Sequence, residues 1–153
     1  GSEMCIRDSF DTGGFKSTKT DMTVDDLYAK FLEVFGVART HCVNMYGMTE
    51  LSSQIYDQNL LSYYTDGSSN YLKATPSWVR SVFLDPATLT PVADGEQGVI
   101  AHYDLANWNS CLAILTEDLG VRTDSGYELN GRAKGAEARG CSIAVDEVMA
   151  ANA

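Results

Sequence analysis

The stretch that most limits the possible folds of this chain is a short apolar run that ends in a polar turn. Residues 41–45 carry few charges and predict a strand, and residues 46–50, Tyr-Gly-Met-Thr-Glu, follow it directly. This turn places an aromatic ring, a glycine, a hydroxyl and a carboxylate within five residues. A ring that can lie along a base, a backbone that allows close approach and a hard oxygen ligand together suit a nucleotide and its Mg²⁺. An ordinary strand end followed by a turn is the alternative that this stretch leaves open by itself.

A capped helix precedes the strand. Thr23 predicts the N-cap with Asp26 as its capping-box partner, and Gly36 predicts the C-terminal end. Helix, strand and turn in this order predict an α/β layer whose ligand edge lies where the strands end. The apolar positions at helical spacing, predicted to pack as core on the sheet, are Leu27, Phe31, Val34 and Phe35.

The second half of the chain predicts closely spaced strands. Short apolar runs alternate with turns there, and residues 124–126, Asp-Ser-Gly, are a hairpin signature. The apolar run at residues 111–115 is predicted to end at residues 116–118. Strands of this kind predict a small β-barrel-like subdomain. The polar, tyrosine-rich residues 57–75 predict a loop with room for a short helix.

These patterns predict four segments. Residues 1–9 are similar to a cloning remnant and translated adapter sequence, so we expect a non-native leader there. Residues 10–75 are predicted to be the C-terminal part of an α/β nucleotide-binding subdomain, and residues 76–130 a β subdomain. Residues 131–153 are predicted to be a hinge-like segment and a truncated tail with a short helix.

Composition narrows the possible functions. The chain has 153 residues, 44% of them apolar, which is enough for one domain with a core. Its net charge of −10, from 21 acidic and 11 basic residues, argues against binding to nucleic acid or to an anionic membrane surface. No apolar run reaches the roughly 18 residues that a membrane span requires.

The cysteines and histidines argue against a zinc site. The four cysteines lie far apart, and only two histidines occur, so neither close ligand pairs nor a disulfide framework is expected. Free thiols in a reducing cytoplasm fit this usage. His41 and His102 have no ligand partner nearby in the sequence and are interpreted as structural.

Several motifs accompany the turn at residues 46–50 in a set order. They are Gly-Gly-Phe-Lys at 13–16, Gly-Glu-Gln-Gly at 95–98, Tyr-Asp-Leu-Ala-Asn at 103–107, Thr-Glu-Asp-Leu-Gly at 116–120 and Gly-Arg-Ala-Lys-Gly-Ala-Glu-Ala-Arg-Gly-Cys-Ser at 131–142. The set resembles the adenylate-forming superfamily, and within it the acyl-protein synthetases of the LuxE type. The resemblance runs from about Phe10 to the C-terminus, and the motif at 131–142 is its specific part.

The resemblance implies a partial adenylate-forming fold and an ATP-dependent ligase. Such an enzyme activates a long-chain fatty acid to acyl-AMP with release of pyrophosphate. It then transfers the acyl group to its own cysteine or to an acceptor protein. ATP and Mg²⁺ are the implied cofactors, and the implied partners are a fatty acid and an acyl-accepting protein such as a fatty-acid reductase.

The same resemblance assigns roles to individual residues. Those implied to line the nucleotide are Gly13, Gly14, Tyr46, Gly47, Asp118 and Arg132. Asp118 would accept hydrogen bonds from the ribose hydroxyls, and Arg132 would approach the ribose or the α-phosphate. Those implied for catalysis are Thr49 beside the phosphates, Glu50 at Mg²⁺ and Cys141 as the acyl-accepting thiol.

Each of these residues also has a plainer interpretation. Glu50 suits the N-terminal end of a helix, Asp118 an ordinary turn, and Arg132 a solvated surface. Cys141 suits a small, buried apolar position.

The family's Gly/Ser/Thr-rich phosphate loop does not occur upstream of residues 13–16. The chain is therefore expected to be a C-terminal fragment that is inactive by itself. Two other interpretations stay open. One is an acyl-CoA ligase of the phenylacetate type, which would need a coenzyme A site, and the other is a non-catalytic remnant or interaction module.

Overall fold

A single mixed sheet organises the described part of the chain. The computed structural model describes residues 8–12 and 23–133. Its helices are α1 (Val24–Phe35) and α2 (Asn59–Asp66), with short 3₁₀ helices at Arg39–His41 and Leu105–Asn107. Its strands are β1 (Ser9–Thr12), β2 (Cys42–Tyr46), β3 (Ile55–Asp57), β4 (Lys73–Ala74), β5 (Val79–Leu84), β6 (Gln97–Asp104), β7 (Ala113–Thr123) and β8 (Gly126–Arg132). These eight strands lie in the order β1-β2-β3-β4-β8-β7-β6-β5.

Helix α1 has the predicted caps. The Thr23 hydroxyl accepts a hydrogen bond from the Asp26 amide at 3.2 Å, and the Thr23 amide donates to the Asp26 carboxylate at 2.9 Å. Gly36 ends the helix with a φ of 67°, a left-handed conformation that glycine adopts without strain. The boundaries of α1 are therefore those that the sequence predicted.

The prediction that the apolar residues of α1 pack as core is wrong at the C-terminal end of the helix. Val34 and Phe35 are 67% and 57% exposed, whereas Tyr28 is buried. The Tyr28 hydroxyl donates to the Asp11 carboxylate in β1 at 3.1 Å. This contact turns the Tyr28 face of the helix toward the sheet, and a periodicity of apolar residues alone does not reveal it.

The first strands form the predicted α/β layer. Strands β1 and β2 are parallel, with α1 between them in the chain, and β2 to β4 continue the sheet in antiparallel fashion. Strand β2 ends at Tyr46, one residue beyond the predicted run, and leads directly into the turn. Ser9, the last residue of the predicted leader, pairs with Cys42 in this layer.

The second half is an antiparallel meander of β5 to β8. The predicted hairpin is confirmed, since β7 and β8 meet with Thr123 opposite Gly126. The predicted strand end at residues 116–118 is wrong, because β7 continues through them with a shift of register between Asp118 and Gly120. Residues 57–75 hold α2 and β4, and β4 was missed because pairing with distant strands stabilises its two residues.

Strand β4 joins the two halves of the sheet. It pairs with β3 on one side and with β8 on the other, where Lys73 lies opposite Tyr127. Lys73 is only 5% exposed, and its Nζ donates to the Asn44 carbonyl oxygen at 2.7 Å and to the Asn44 side chain. Burial lowers the pKa of Lys73 and raises the pKa of Asp57, its neighbour in β3.

Two apolar clusters support this sheet. The buried residues of the larger cluster are Leu51, Ile55, Val79, Phe83, Ile100 and Tyr127. The smaller cluster joins α1 to β2 through Tyr28, Val37 and Cys42. Among the described residues, no helix is long and apolar enough to cross a membrane. The division into segments stays a prediction, and the predicted C-terminal helix lies outside the described residues.

Candidate functional site

Three predicted site residues from three strands meet at one place. Tyr46 ends β2, Asp118 lies within β7 and Arg132 ends β8. The Tyr46 hydroxyl donates to Asp118 Oδ2 at 2.8 Å, and Arg132 Nε lies 3.3 Å from Asp118 Oδ1. Each carboxylate oxygen of Asp118 therefore has its own partner, which restrains the plane of the carboxylate.

The shift of register in β7 positions Asp118. Asp118 lies opposite Arg132, and the pairing of β7 with β8 slips by one residue immediately beyond it. The Thr116 hydroxyl accepts from the Asp118 amide at 3.1 Å and donates to the Ile100 carbonyl oxygen at 2.7 Å. The Asp118 side chain keeps 22% of its surface exposed, so a ligand can reach it. Arg132 is also paired with Glu117, at 2.7 Å.

A buried histidine lies behind Tyr46. His102 is completely buried in β6, directly opposite Ser81 in β5. Its Nδ1 lies 2.8 Å from the Ser81 hydroxyl, and its Nε2 lies 3.4 Å from the Tyr46 hydroxyl. Burial lowers the pKa of His102 to about 4, so the ring is neutral at pH 7. Burial and the charge of Asp118 together raise the pKa of Tyr46 well above its usual value, which keeps that hydroxyl protonated.

The turn after β2 exposes the other predicted residues. Thr49 and Glu50 are exposed, and the turn is closed by the Leu51 amide, which donates to the Met48 carbonyl oxygen at 3.1 Å. Gly47 has no left-handed backbone, and a Cβ there would meet only the Met45 methyl carbon, at 3.8 Å. The described residues therefore do not require glycine at position 47.

The segment after the turn is anchored by a buried aspartate. Asp104 is completely buried at the end of β6 and accepts from the amide and the hydroxyl of Ser53, both at 2.9 Å. The Trp78 indole N–H donates to the same Ser53 hydroxyl at 2.9 Å. Asn107 donates to the Glu50 carbonyl oxygen at 2.7 Å. These contacts hold the backbone of residues 50–53, and with it the turn that bears Glu50.

Sequence reasoning missed these supporting residues. Asp104 and Asn107 belong to the Tyr-Asp-Leu-Ala-Asn motif, which was noted without a role. A carboxylate at the end of a largely apolar run, followed three residues later by an amide, was the available signal. Ser81 and His102 gave none, because the contacts of His102 with Ser81 and with Tyr46 depend on the tertiary structure of the sheet.

Part of the predicted site lies outside the described residues. Gly13, Gly14 and Cys141 are in this group, so the structure does not describe their relation to Asp118. Among the described residues, no group of three or more His, Cys, Asp or Glu side chains is arranged to hold a metal ion. Glu50 presents a single exposed carboxylate, which fits Mg²⁺ because that ion takes one or two carboxylates and completes its coordination with water and phosphate oxygens.

The fold is that of adenylate-forming enzymes, of which the chain has a part. It is similar to apo MatB from Rhodopseudomonas palustris, with a TM-score of 0.55, 20% identity, and coverage of 84% of this chain and 26% of that one. It is also similar to the luciferase-like enzyme of the mealworm Zophobas morio, with a TM-score of 0.51, 17% identity, and coverage of 84% and 31%. At this level of identity the similarity establishes the fold.

Sequence comparisons place the chain in one family. The family model described as "Acyl-protein synthetase, LuxE" matches residues 8–150, so the chain belongs to the LuxE acyl-protein synthetase family. It is 26% identical over 155 residues to the long-chain-fatty-acid–luciferin-component ligase of Aliivibrio fischeri, covering 92% of this chain. It is 27% identical over 90 residues to the ligase of the same name from Vibrio harveyi, covering 54% of this chain. The chain spans 37% and 24% of the lengths of these two relatives.

Proposed function

We propose that this chain forms the ribose-facing side of the nucleotide site in an ATP-dependent acyl-protein synthetase. The observation that carries the proposal is the carboxylate of Asp118, held between Tyr46 and Arg132 and still 22% exposed. Family membership supports it, and so does the name of the two relatives, which are long-chain-fatty-acid ligases.

The reaction that we propose has two steps. The carboxylate oxygen of a long-chain fatty acid attacks the α-phosphorus of ATP, and pyrophosphate leaves to give acyl-AMP. The thiolate of Cys141 then attacks the acyl carbonyl and AMP leaves, so that the acyl group becomes a thioester. An acceptor or reductase protein in the cytoplasm would take the acyl group from there. The family match favours this acceptor chemistry over the acyl-CoA ligase alternative.

Asp118 and Arg132 would recognise the sugar and the phosphate next to it. Each carboxylate oxygen offers two acceptor sites, so Asp118 can accept from ribose hydroxyls while it keeps its hydrogen bond from Tyr46 and its ion pair with Arg132. Arg132 carries five donors, and its planar group suits the ribose or the α-phosphate. The remaining nucleotide contacts would come from Gly13, Gly14, Tyr46, Gly47 and Thr49.

Glu50 would hold the magnesium ion. Its exposed carboxylate lies in the turn that Asp104 and Asn107 anchor through residues 50–53. Mg²⁺ supplies charge compensation for the phosphates when it is bound. Glu50 orients that charge, and the anchored backbone keeps the carboxylate beside the strand end.

A calorimetric titration of the chain with AMP tests the proposal. Asp118→Asn removes the charge and half of the acceptor capacity that the ribose needs, so we expect at least about tenfold weaker AMP binding. Asp94→Asn is the matched control, since Asp94 also pairs with an arginine, Arg122 at 3.4 Å, but on the open surface. AMP affinity should be unchanged in this control. Equal affinities in all three proteins, or no AMP binding by the unaltered chain, would contradict the proposal.

A further inference from the structure

Four polar side chains form a continuous row of contacts that ends at Asp118. Ser81, His102, Tyr46 and Asp118 lie on β5, β6, β2 and β7. Their successive distances are 2.8 Å from the Ser81 hydroxyl to Nδ1, 3.4 Å from Nε2 to the Tyr46 hydroxyl and 2.8 Å from that hydroxyl to Asp118. Of the two inner members, His102 is 0% exposed and Tyr46 is partly buried.

The chemistry of the end group sets the direction of every hydrogen bond in the row. An ionised carboxylate only accepts, so the Tyr46 hydroxyl gives its proton to Asp118. The Tyr46 oxygen can then only accept, so Nε2 of His102 must carry a hydrogen. A neutral imidazole with a hydrogen on Nε2 has a lone pair on Nδ1, and the Ser81 hydroxyl must therefore donate to it.

We propose that Ser81 and His102 are positioning residues that direct the Tyr46 hydroxyl onto Asp118 and so preset the carboxylate for the ribose. This inference rests on the proposed function, since it assigns to Asp118 the nucleotide contact described above. Because the Tyr46 oxygen accepts the Nε2 hydrogen of His102, the hydrogen of the Tyr46 hydroxyl stays directed at Oδ2 of Asp118. The carboxylate then needs no reorientation when the sugar arrives, and such preorganisation strengthens binding.

The tautomer of His102 is the first test. The chain has only two histidines, so long-range ¹H–¹⁵N spectra of the imidazole nitrogens at pH 7 resolve His102 beside His41. We expect His102 to be neutral with its hydrogen on Nε2, and Tyr46→Phe to shift its Nε2 resonance. A hydrogen on Nδ1 alone, or a charged imidazolium, would overturn the proposal. This spectrum requires no nucleotide.

AMP affinity is the second test, with conservative variants that separate positioning from general packing. A glutamine amide can donate in place of Nε2, so His102→Gln should bind AMP within about twofold of the unaltered chain, whereas His102→Leu should bind about fivefold to tenfold more weakly. Ser81→Ala, a small change at the far end of the row, should weaken binding about threefold and loosen the preference for one tautomer. His41→Gln is the matched control.

The outcomes distinguish this inference from the function on which it rests. If the unaltered chain binds AMP and both His102→Leu and Ser81→Ala bind it equally well, the positioning role is wrong and the proposed function stands. If the unaltered chain binds no AMP, the proposed function fails. The imidazole spectrum still decides whether the hydrogen bonds of the row are directed toward Asp118.

Discussion

Burial affects the properties of individual site residues as much as their contacts do, because it decides which side chains can carry a charge. Asp118 is accessible enough to meet a ligand, whereas Tyr46 is partly buried and His102 behind it is withdrawn from water. Burial penalises a charge on the imidazole, which is why the pKa of His102 falls to about 4 although Asp118 and Asp104 pull it upward. A neutral ring in this position lets the tyrosine hydroxyl interact with the carboxylate without a competing cation.

This burial makes stability depend on pH. The pKa of His102 falls from an ordinary 6.5 to about 4 in the folded chain, so between these values the unfolded chain binds a proton and the folded chain does not. Stability is therefore highest above pH 6.5 and decreases by about 3 kcal/mol as the pH falls through this window. Urea unfolding at pH 7 and pH 4.5 measures the decrease, which includes any contribution from carboxylates.

His102→Gln isolates the part that belongs to the histidine. The variant keeps every carboxylate of the chain but cannot titrate at position 102, so its decrease in stability between the two pH values should be smaller. Equal decreases in both proteins would show that His102 does not contribute.

The β7–β8 hairpin packs closely against β4. Gly126 has a φ of 150°, and a Cβ on it would lie 2.5 Å from the Lys73 carbonyl oxygen and 3.2 Å from the Leu72 Cβ. Gln58 also reaches this hairpin, because its side-chain amide donates to the Ser125 carbonyl oxygen at 2.5 Å. The hairpin and β4 can approach this closely only because position 126 has no side chain.

We expect Gly126→Ala to lower the free energy of unfolding by about 2 kcal/mol or more, since a backbone oxygen cannot move aside as a flexible side chain would. Gly36→Ala is the matched control, because Gly36 also has a positive φ, of 67°, but a Cβ there meets nothing within 4 Å. This control should lose only the backbone cost, about 1 kcal/mol. Denaturant titration measures both, and equal losses would refute the role of close packing against β4.

The whole molecule depends on a narrow junction. Strand β4 has two residues, and it alone links β1–β3 to the meander β5–β8 within the described sheet. Lys73 strengthens this link, because its buried ammonium group bonds to Asn44 in β2 and lies near Asp57 in β3. The junction also positions the site, since Tyr46 comes from one side of it and Asp118 from the other.

Lys73→Met should uncouple the two sides. The Asn44 carbonyl oxygen would lose a buried donor and Asp57 a compensating charge, at a cost of about 2–3 kcal/mol. Native-state hydrogen exchange should show faster exchange in β1–β3, with the amides of β5–β7 keeping most of their protection. Lys30→Met, at an exposed lysine of α1, should leave both sets unchanged. A uniform loss of protection across the sheet in Lys73→Met would contradict this role for the junction.

The sequence by itself determined the features whose causes are local. The capping box of Thr23 and Asp26, the end of α1 at Gly36 and the β7–β8 hairpin depend on interactions within a few residues, and the predicted turn after β2 follows an apolar run. Motif order was enough to indicate the family as well, and the family match confirms it.

Only the tertiary structure decided which side chains meet. Tyr46 and Asp118 are 72 positions apart, and His102 contacts Tyr46 across 56. The join at Lys73 depends on which strands become neighbours. Strand order and register follow from burial and pairing over the whole sheet, a sum of many weak terms that no local pattern contains.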